Sequence, residues 1–175
     1  RYMIAAANVQ CLVTQSACAH LFRDLADVDV VLLDESRAEI DRSSSTNPQP
    51  LASENNIIYV IFTSGSTGQP KAAAVYHRGF ANLVQWFVDE FEIANHDHAL
   101  LISSLSFDLT QKNLFATLIC GGTLHLYPPG PYDLSVLSRL IRERSITLIN
   151  CTPSAFYPLV HPFDEESATR LASLR

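Results

Sequence analysis

Asn56-Ile57-Ile58-Tyr59-Val60-Ile61-Phe62-Thr63-Ser64-Gly65-Ser66-Thr67-Gly68-Gln69-Pro70-Lys71-Ala72-Ala73-Ala74-Val75 is the stretch that decides how this chain is built. Residues 56–62 form an apolar run rich in β-branched and aromatic side chains, the composition of a buried strand, and 72–75 is a second short apolar run. Between them, Thr63 to Lys71 gather two glycines, four hydroxyls and one lysine. Glycines let a backbone approach an anion, hydroxyls and amides donate to its oxygens, and a lysine adds charge. The layout is therefore strand, phosphate-cradling loop, strand. It is not a Walker loop, because the GxxxxGK[ST] spacing is missing and no helix starts at Lys71. A Ser/Gly-rich linker is the bland alternative, but linkers rarely set two glycines, a proline and a lysine in this order between apolar strands.

Outward from this loop the pattern alternates strand and helix, which predicts an α/β fold with crossover connections. Upstream, 9–14 reads as a strand, 16–25 as a helix capped by Ser16, and 28–33 as a fully buried strand, together a βαβ unit. Residues 35–54, centred on Ser43-Ser44-Ser45-Thr46-Asn47-Pro48, have no periodicity and read as a mobile surface connection. Downstream, 80–91 carries Leu83, Val84, Phe87 and Phe91 at helical spacing, with His77 and Arg78 at its start. Then follow a strand at 99–102, a helix at 109–119, a strand at 122–127, a helix at 134–143, a strand at 146–151 and a helix at 153–159 that opens with proline. Residues 167–175 read as a last amphipathic helix. The first residue is Arg1 and neither end carries a stop signal, so the expectation is a domain cut at both ends.

Composition narrows the function. The 175 residues are 47% hydrophobic, enough for a core of single-domain size. The net charge of −6, with scattered Lys and Arg, argues against a nucleic-acid binder. No apolar run reaches membrane-spanning length and the start lacks a signal peptide's pattern, so a cytoplasmic setting is expected. Cys11, Cys18, Cys120 and Cys151 lack CxxC or ligand spacing and read as buried free thiols. The six histidines form no HExxH motif or close ligand pair, and His96-Asp97-His98 reads as a polar turn, so no protein-borne metal site is expected.

A second constellation is Ser106-Phe107-Asp108-Leu109-Thr110, where a strand gives way to a helix. Asp108 there has two readings: a cap for the helix amides, or a carboxylate that recognises a cation.

Residues 59–71 closely resemble the signature loop of the adenylate-forming enzymes, the superfamily of acyl-CoA synthetases, luciferases and nonribosomal peptide synthetase adenylation domains. The resemblance spans nearly the whole chain in pattern, with specific identity confined to this loop, Phe107-Asp108 and Thr152-Pro153-Ser154. His77-Arg78-Gly79 also resembles a segment that often follows the loop in peptide synthetases. It implies part of the large N-terminal subdomain of an AMP-binding adenylation domain over residues 1–175, with Thr63, Ser64, Gly65, Ser66, Thr67, Gly68 and Lys71 on the phosphates of ATP. Ala72 departs from the glycine usual after the lysine, and local strain is expected there.

Phe107-Asp108 matches the peptide-synthetase branch, which implies that Asp108 is a buried carboxylate binding the substrate's α-ammonium. Family alignment places Leu109, Lys112 and Asn150 toward the amino acid's side chain. Lys112 suggests an acidic or amide-bearing side chain, or else a stem lining the wall with its amine in water. The implied reaction is attack of an amino-acid carboxylate on ATP, with Mg²⁺ arriving with the nucleotide, and transfer of the aminoacyl group to the phosphopantetheine thiol of a carrier domain beside a condensation domain. The family's adenine-binding Gly-Gly-Glu segment, ribose-binding aspartate and C-terminal lysine are not in these 175 residues, so little activity is expected of the piece alone. An acyl-CoA or aryl-acid ligase and an inactive module are the alternatives.

Overall fold

The structure is a computed structural model that describes residues 1–25, 27–64, 68–161 and 165–175, with Glu166 and Ser167 described in backbone only. In chain order the elements are α1 (Tyr2–Ala6), β1 (Cys11–Thr14), α2 (Ser16–Ala19), β2 (Asp29–Leu32), α3 (Arg37–Ile40), β3 (Ile57–Thr63), β4 (Lys71–Tyr76) and α4 (His77–Glu90). They continue as β5 (His98–Leu101), α5 (Asp108–Ile119), β6 (Thr123–Leu126), α6 (Leu134–Glu143), α7 (Pro153–Val160) and α8 (Glu165–Arg170). Strands β1 and β2 pair in parallel, β3 and β4 antiparallel, and β5 and β6 in parallel. The α/β class and the first βαβ unit are as the periodicity predicts. No helix is long and apolar enough to cross a membrane among the described residues.

The core lies in the second half. Among the described residues none before Phe80 is fully buried. Phe80, Val84 and Phe87 line the inner face of α4 and meet Ile93 and Ala116. This is the stripe expected of apolar residues at helical spacing. A second cluster joins Leu100 of β5 to Leu137 and Ile141 of α6, Ile146 and Leu159. The expectation of a fully buried strand at 28–33 is therefore wrong: Asp29 and Val30 are exposed, and the crossover helix α2 is four residues long, too short to cover them.

Other departures follow from where hydrogen bonds go. Gln15, not Ser16, holds the cap position of α2. Ser16 instead donates its amide to Asp34 Oδ1 at 3.0 Å and its hydroxyl to Asp34 Oδ2, and these bonds pull the Asp34 carboxyl below its usual pKa. Residues 35–54 do form an exposed connection, but one turn of it is α3, closed by the Arg37–Asp41 pair. The expected strand at 146–151 is reduced to a single bridge, Ala99 with Leu148, because its sheet bonds run to His98 and Leu100 and then stop. The last helix ends at Arg170 rather than at the final residue, freeing Leu171 and Leu174 to pack on the second cluster. The four cysteines are free as expected, but Cys11 and Cys18 are exposed and only Cys120 and Cys151 are partly buried.

The polar turn expected at His96-Asp97-His98 is present, with the Asp97 amide closing it onto the Ala94 carbonyl at 3.1 Å, but the Asp97 side chain is not a solvated turn residue. Asp97 is 0% exposed, and its carboxylate accepts from Arg175 Nε at 2.9 Å, Arg175 Nη2 at 2.7 Å, Thr147 Oγ1 at 2.7 Å and the Ala94 amide at 2.8 Å. These donors hold its carboxyl far below the usual range, against the opposing effect of burial. Packing around the residue is tight enough that a Cβ on Gly122 would stand 2.9 Å from the Asp97 carbonyl oxygen. His98, for its part, is in β5. Its Nδ1 lies 3.0 Å from His125 Nε2, and ring centroids 5.2 Å apart place the imidazoles tip to tip rather than face over face. One ring must be the donor, so the bond requires at least one neutral imidazole.

Breaking the buried pair by Arg175→Met should cost about 3 kcal/mol in denaturant titration, since it strands a carboxylate without its cation. Asp97→Asn should cost less. Because the Asp97 carboxyl is depressed in the folded state, its contribution is present at neutral pH and is lost as pH falls below the usual carboxylate range.

His125 responds in a higher window. Burial, the neighbouring His98 and the charge of Arg144 push its pKa down, so the unfolded chain takes up a proton first as pH falls. Stability should therefore decline from about pH 6.5 downward. A midpoint series between pH 7.5 and 5.5 should show this slope in the parent protein and lose it in His125→Gln.

Candidate functional site

The β3–β4 hairpin presents the loop. Thr63 pairs with Lys71 at its neck, and Thr63 Oγ1 donates to the Lys71 carbonyl at 3.4 Å. Gly68 has φ +80, the left-handed conformation that favours glycine. Gly65, Ser66 and Thr67 lie outside the described residues. Lys71 opens β4 on its exposed side. Ala72 pairs regularly with Phe62 and has no left-handed backbone, so the strain expected there is not found.

Facing the hairpin is the turn that starts α5. Thr110 is 0% exposed; its hydroxyl donates to the Ser104 carbonyl at 2.6 Å and meets Ser103 Oγ at 2.7 Å. Gln111 Nε2 adds a bond to the Leu105 carbonyl at 3.1 Å. These bonds fold 103–107 back onto the helix and fix where Asp108 emerges. Phe107 holds the cap position and Asp108 is the first helical residue, with Oδ1 accepting only from the Leu109 amide at 2.7 Å. Asp108 is therefore not the helix cap, and it leaves one carboxylate oxygen without a protein partner among the described residues.

Hairpin and turn enclose a cavity of about 420 Å³, which brings Thr63 and Ser64 together with Ser106, Phe107 and Asp108. Tyr59, Ile61, Ala73 and Val75 form its apolar side. Sequence reasoning missed these four; the alternation of Tyr59, Ile61 and Thr63 along β3 was the available signal. Burial and the Asp108 charge push the Tyr59 hydroxyl above its usual pKa, an electrostatic sign that the two face the same space. Asp108 itself is exposed rather than buried, because it stands at the open rim of this cavity.

The other expected pocket residues are placed differently. Leu109 is half-buried beside Asp108. Lys112 carries its ammonium 5.3 Å over the Phe87 ring on α4, and burial pushes its pKa down while Asp108 opposes the shift. Its amine thus has an aromatic partner within the protein. Asn150 does not line the large cavity; it borders a small space beside Asn113, which donates Nδ2 to the Asn150 carbonyl at 3.0 Å.

A hydroxyl-rich hairpin facing a carboxylate at a helix start is a two-part site, and the whole sequence, residues 1–175, matches the description "AMP-binding enzyme". The chain belongs to the AMP-binding enzyme family. It is 35% identical over 94% of its length to tyrocidine synthase 2 of Brevibacillus parabrevis, and 34% identical over 83% to surfactin synthase subunit 2 of Bacillus subtilis. It spans only 4% of each of those two proteins. Its fold matches the nonribosomal peptide synthetase FmoA3 bound to alpha-methyl-L-serine-AMP with a TM-score of 0.85 at 28% identity, over 99% of this chain and 19% of that one. It also matches the Klebsiella oxytoca NpsA N-terminal subdomain in complex with 3-hydroxyanthranilyl-AMSN, with a TM-score of 0.73 at 26% identity, over 93% and 40%.

Replacing Ala73 by Phe in the complete gene product should fill the space between Tyr59 and Asp108. Since Ala73 is exposed on β4, stability should change by less than about 1 kcal/mol. Calorimetric titration should show binding of an acyl-adenylate analogue weakened tenfold or more.

Proposed function

We propose that this chain is part of the large N-terminal subdomain of an adenylation domain that activates an amino acid with ATP, giving an aminoacyl adenylate and pyrophosphate. The observation that carries this reading is the shared cavity, with phosphate-type donors at one end and Asp108 at the other. The hydroxyls of Thr63, Ser64, Ser66 and Thr67, the amides around Gly65 and Gly68, and the Lys71 ammonium hold the triphosphate and neutralise charge as pyrophosphate leaves. Asp108 offers its free oxygen to the substrate's ammonium, which orients the carboxylate toward the α-phosphorus. The family resemblance assigns Leu109, Lys112 and Asn150 to the side-chain wall, Lys112 through its stem, although none of the three borders the cavity that holds Asp108 in this structure.

Among the described residues no three His, Cys, Asp or Glu side chains cluster as a metal cage. The donor set fits Mg²⁺ carried on the phosphates, where it would add Lewis-acid polarisation of the transferring group. In the complete protein the aminoacyl group passes to the phosphopantetheine thiol of a carrier domain, with a condensation domain beside it and a cytoplasmic setting. The likeness to NpsA-ThdA, an artificially fused adenylation–PCP di-domain, with a TM-score of 0.74 at 26% identity, supports the carrier part of that proposal.

A second reading is activation of an acid without an amine. The exposed setting of Asp108 favours it, because a carboxylate in water loses little when its partner is absent, as does the likeness to NpsA in complex with 3-hydroxybenzoyl-AMSN.

Amino-acid-dependent ATP–pyrophosphate exchange on the complete gene product separates the two. Exchange with an amino acid but not its des-amino analogue, reduced at least tenfold in kcat/KM by Asp108→Asn, is the expected result. Exchange with des-amino acids at equal rate would assign the aryl or fatty acid class, and none from a folded protein would overturn both.

A further inference from the structure

Asn113 follows Lys112 on α5 but points into the protein, and it is 7% exposed. Its two amide ends are treated differently. Nδ2 donates to the Asn150 carbonyl at 3.0 Å, whereas Oδ1 is buried without a partner among the described residues. Leaving a buried amide oxygen unpaired is unfavourable, so such a residue calls for a compensating partner or a bond that the fold needs.

Both are at hand. Asn113 and Asn150 border a space of about 10 Å³ whose other walls are Ala99, Leu100, Leu101, Leu124 and Leu148. That is the lower limit of space for one water, and Asn113 and Asn150 are the polar residues that border it. The bond has a mechanical reason too. Segment 146–150 is tied to β5 by the amides of Thr147 and Leu148 to the His98 carbonyl and by the Leu100 amide to the Leu148 carbonyl, and these sheet bonds stop two residues short of Asn150. The side chain of Asn113 is what carries the attachment onward to Asn150, from a helix already anchored by Thr110.

We infer that Asn113 is a positioning residue for side-chain selection: its amide, with one water on Oδ1, sets the gap between the Asn150 wall and the helix face that bears Asp108, Leu109 and Lys112. This rests on the amino-acid-activating reading above. A wall fixed by a bond rejects larger side chains by the cost of breaking it, while an untethered wall yields to them. Pockets that distinguish single methylenes typically do so by about 10 to 200-fold, and that discrimination needs a wall that does not move.

The test uses the complete gene product with Asn113→Leu, near in size but without hydrogen bonds, and Asn113→Asp, equal in shape but lacking the donor when ionised. KM and kcat in pyrophosphate exchange are measured over amino acids of graded side-chain volume, beside amide hydrogen exchange read over 146–152 and 57–63. Both variants should raise KM for the preferred amino acid at least tenfold, leave KM for ATP and kcat within twofold, and admit larger side chains. Amide exchange should quicken over 146–152 alone. In Asn113→Asp the buried carboxyl regains a proton, and with it the donor, as pH is lowered, so KM should return toward the parent value near pH 5.5, a rescue that lost packing would not give. Equal effects on both substrates, a fall in kcat alone, or unchanged selectivity would overturn the inference. If the parent protein shows no amino-acid-dependent exchange, it is the activity that fails; the tether is then judged on hydrogen exchange, where an unchanged 146–152 overturns it.

Discussion

The structure depends on one buried carboxylate. Asp97 gathers the turn after α4 through the Ala94 amide, segment 146–150 through Thr147, and the last residues through Arg175, while its own carbonyl accepts from Thr123 at the start of β6. Arg175 extends the network to the Glu92 carbonyl and, through its amide, to the Thr147 carbonyl. A buried ion pair is weak evidence of stability, since desolvation consumes much of its attraction. Its effect here is register: the local turn at Ala94 and two stretches distant in sequence, at Thr147 and Arg175, can satisfy a single carboxylate only in one mutual arrangement. Gly122 is part of the same constraint, because a side chain there would press on the Asp97 backbone.

That frame fixes β5, and β5 in turn aligns α5, whose first turn carries Asp108. Aromatic edges link β3 to α4, Tyr59 to Phe80 at 5.3 Å, and α4 to α5, Phe80 to Phe115 at 5.4 Å. Tyr59 belongs both to this cluster and to the cavity wall, so the packing that stabilises the second half also sets the spacing between hairpin and helix. The candidate site is the cavity between the β3–β4 hairpin and the start of α5.

Much of this was legible in the chain. The hairpin, α4, α5 and α6 carry strong local signals: glycine and hydroxyl punctuation at 63–68, helical spacing of Val84 and Phe87, and a carboxylate at Asp133 that receives the amides of Ser135 and Val136 to open α6. Weak elements failed where tertiary pairing decides. Segment 146–151 has a strand's composition but makes sheet bonds over only part of its length, and 28–33 has a buried strand's composition but lacks a covering helix. Of the candidate site, Thr63, Ser64 and Asp108 line one cavity, with Asp108 exposed where a buried carboxylate was expected, while Lys112 turned to Phe87 and Asn150 to Asn113.

Sequence by itself determined the α/β alternation, the family and the two motifs of the site, because glycine spacing, hydroxyl content and hydrophobic period are local properties. Only the tertiary structure decided that the turn residue Asp97 is also a buried hub, that His98 and His125 meet tip to tip, and that Asn113 bonds to Asn150. Each of these depends on partners about 27 to 78 residues away. Polarity in sequence shows that a group needs a partner; folding selects which one, since desolvation penalises every arrangement that leaves it unpaired.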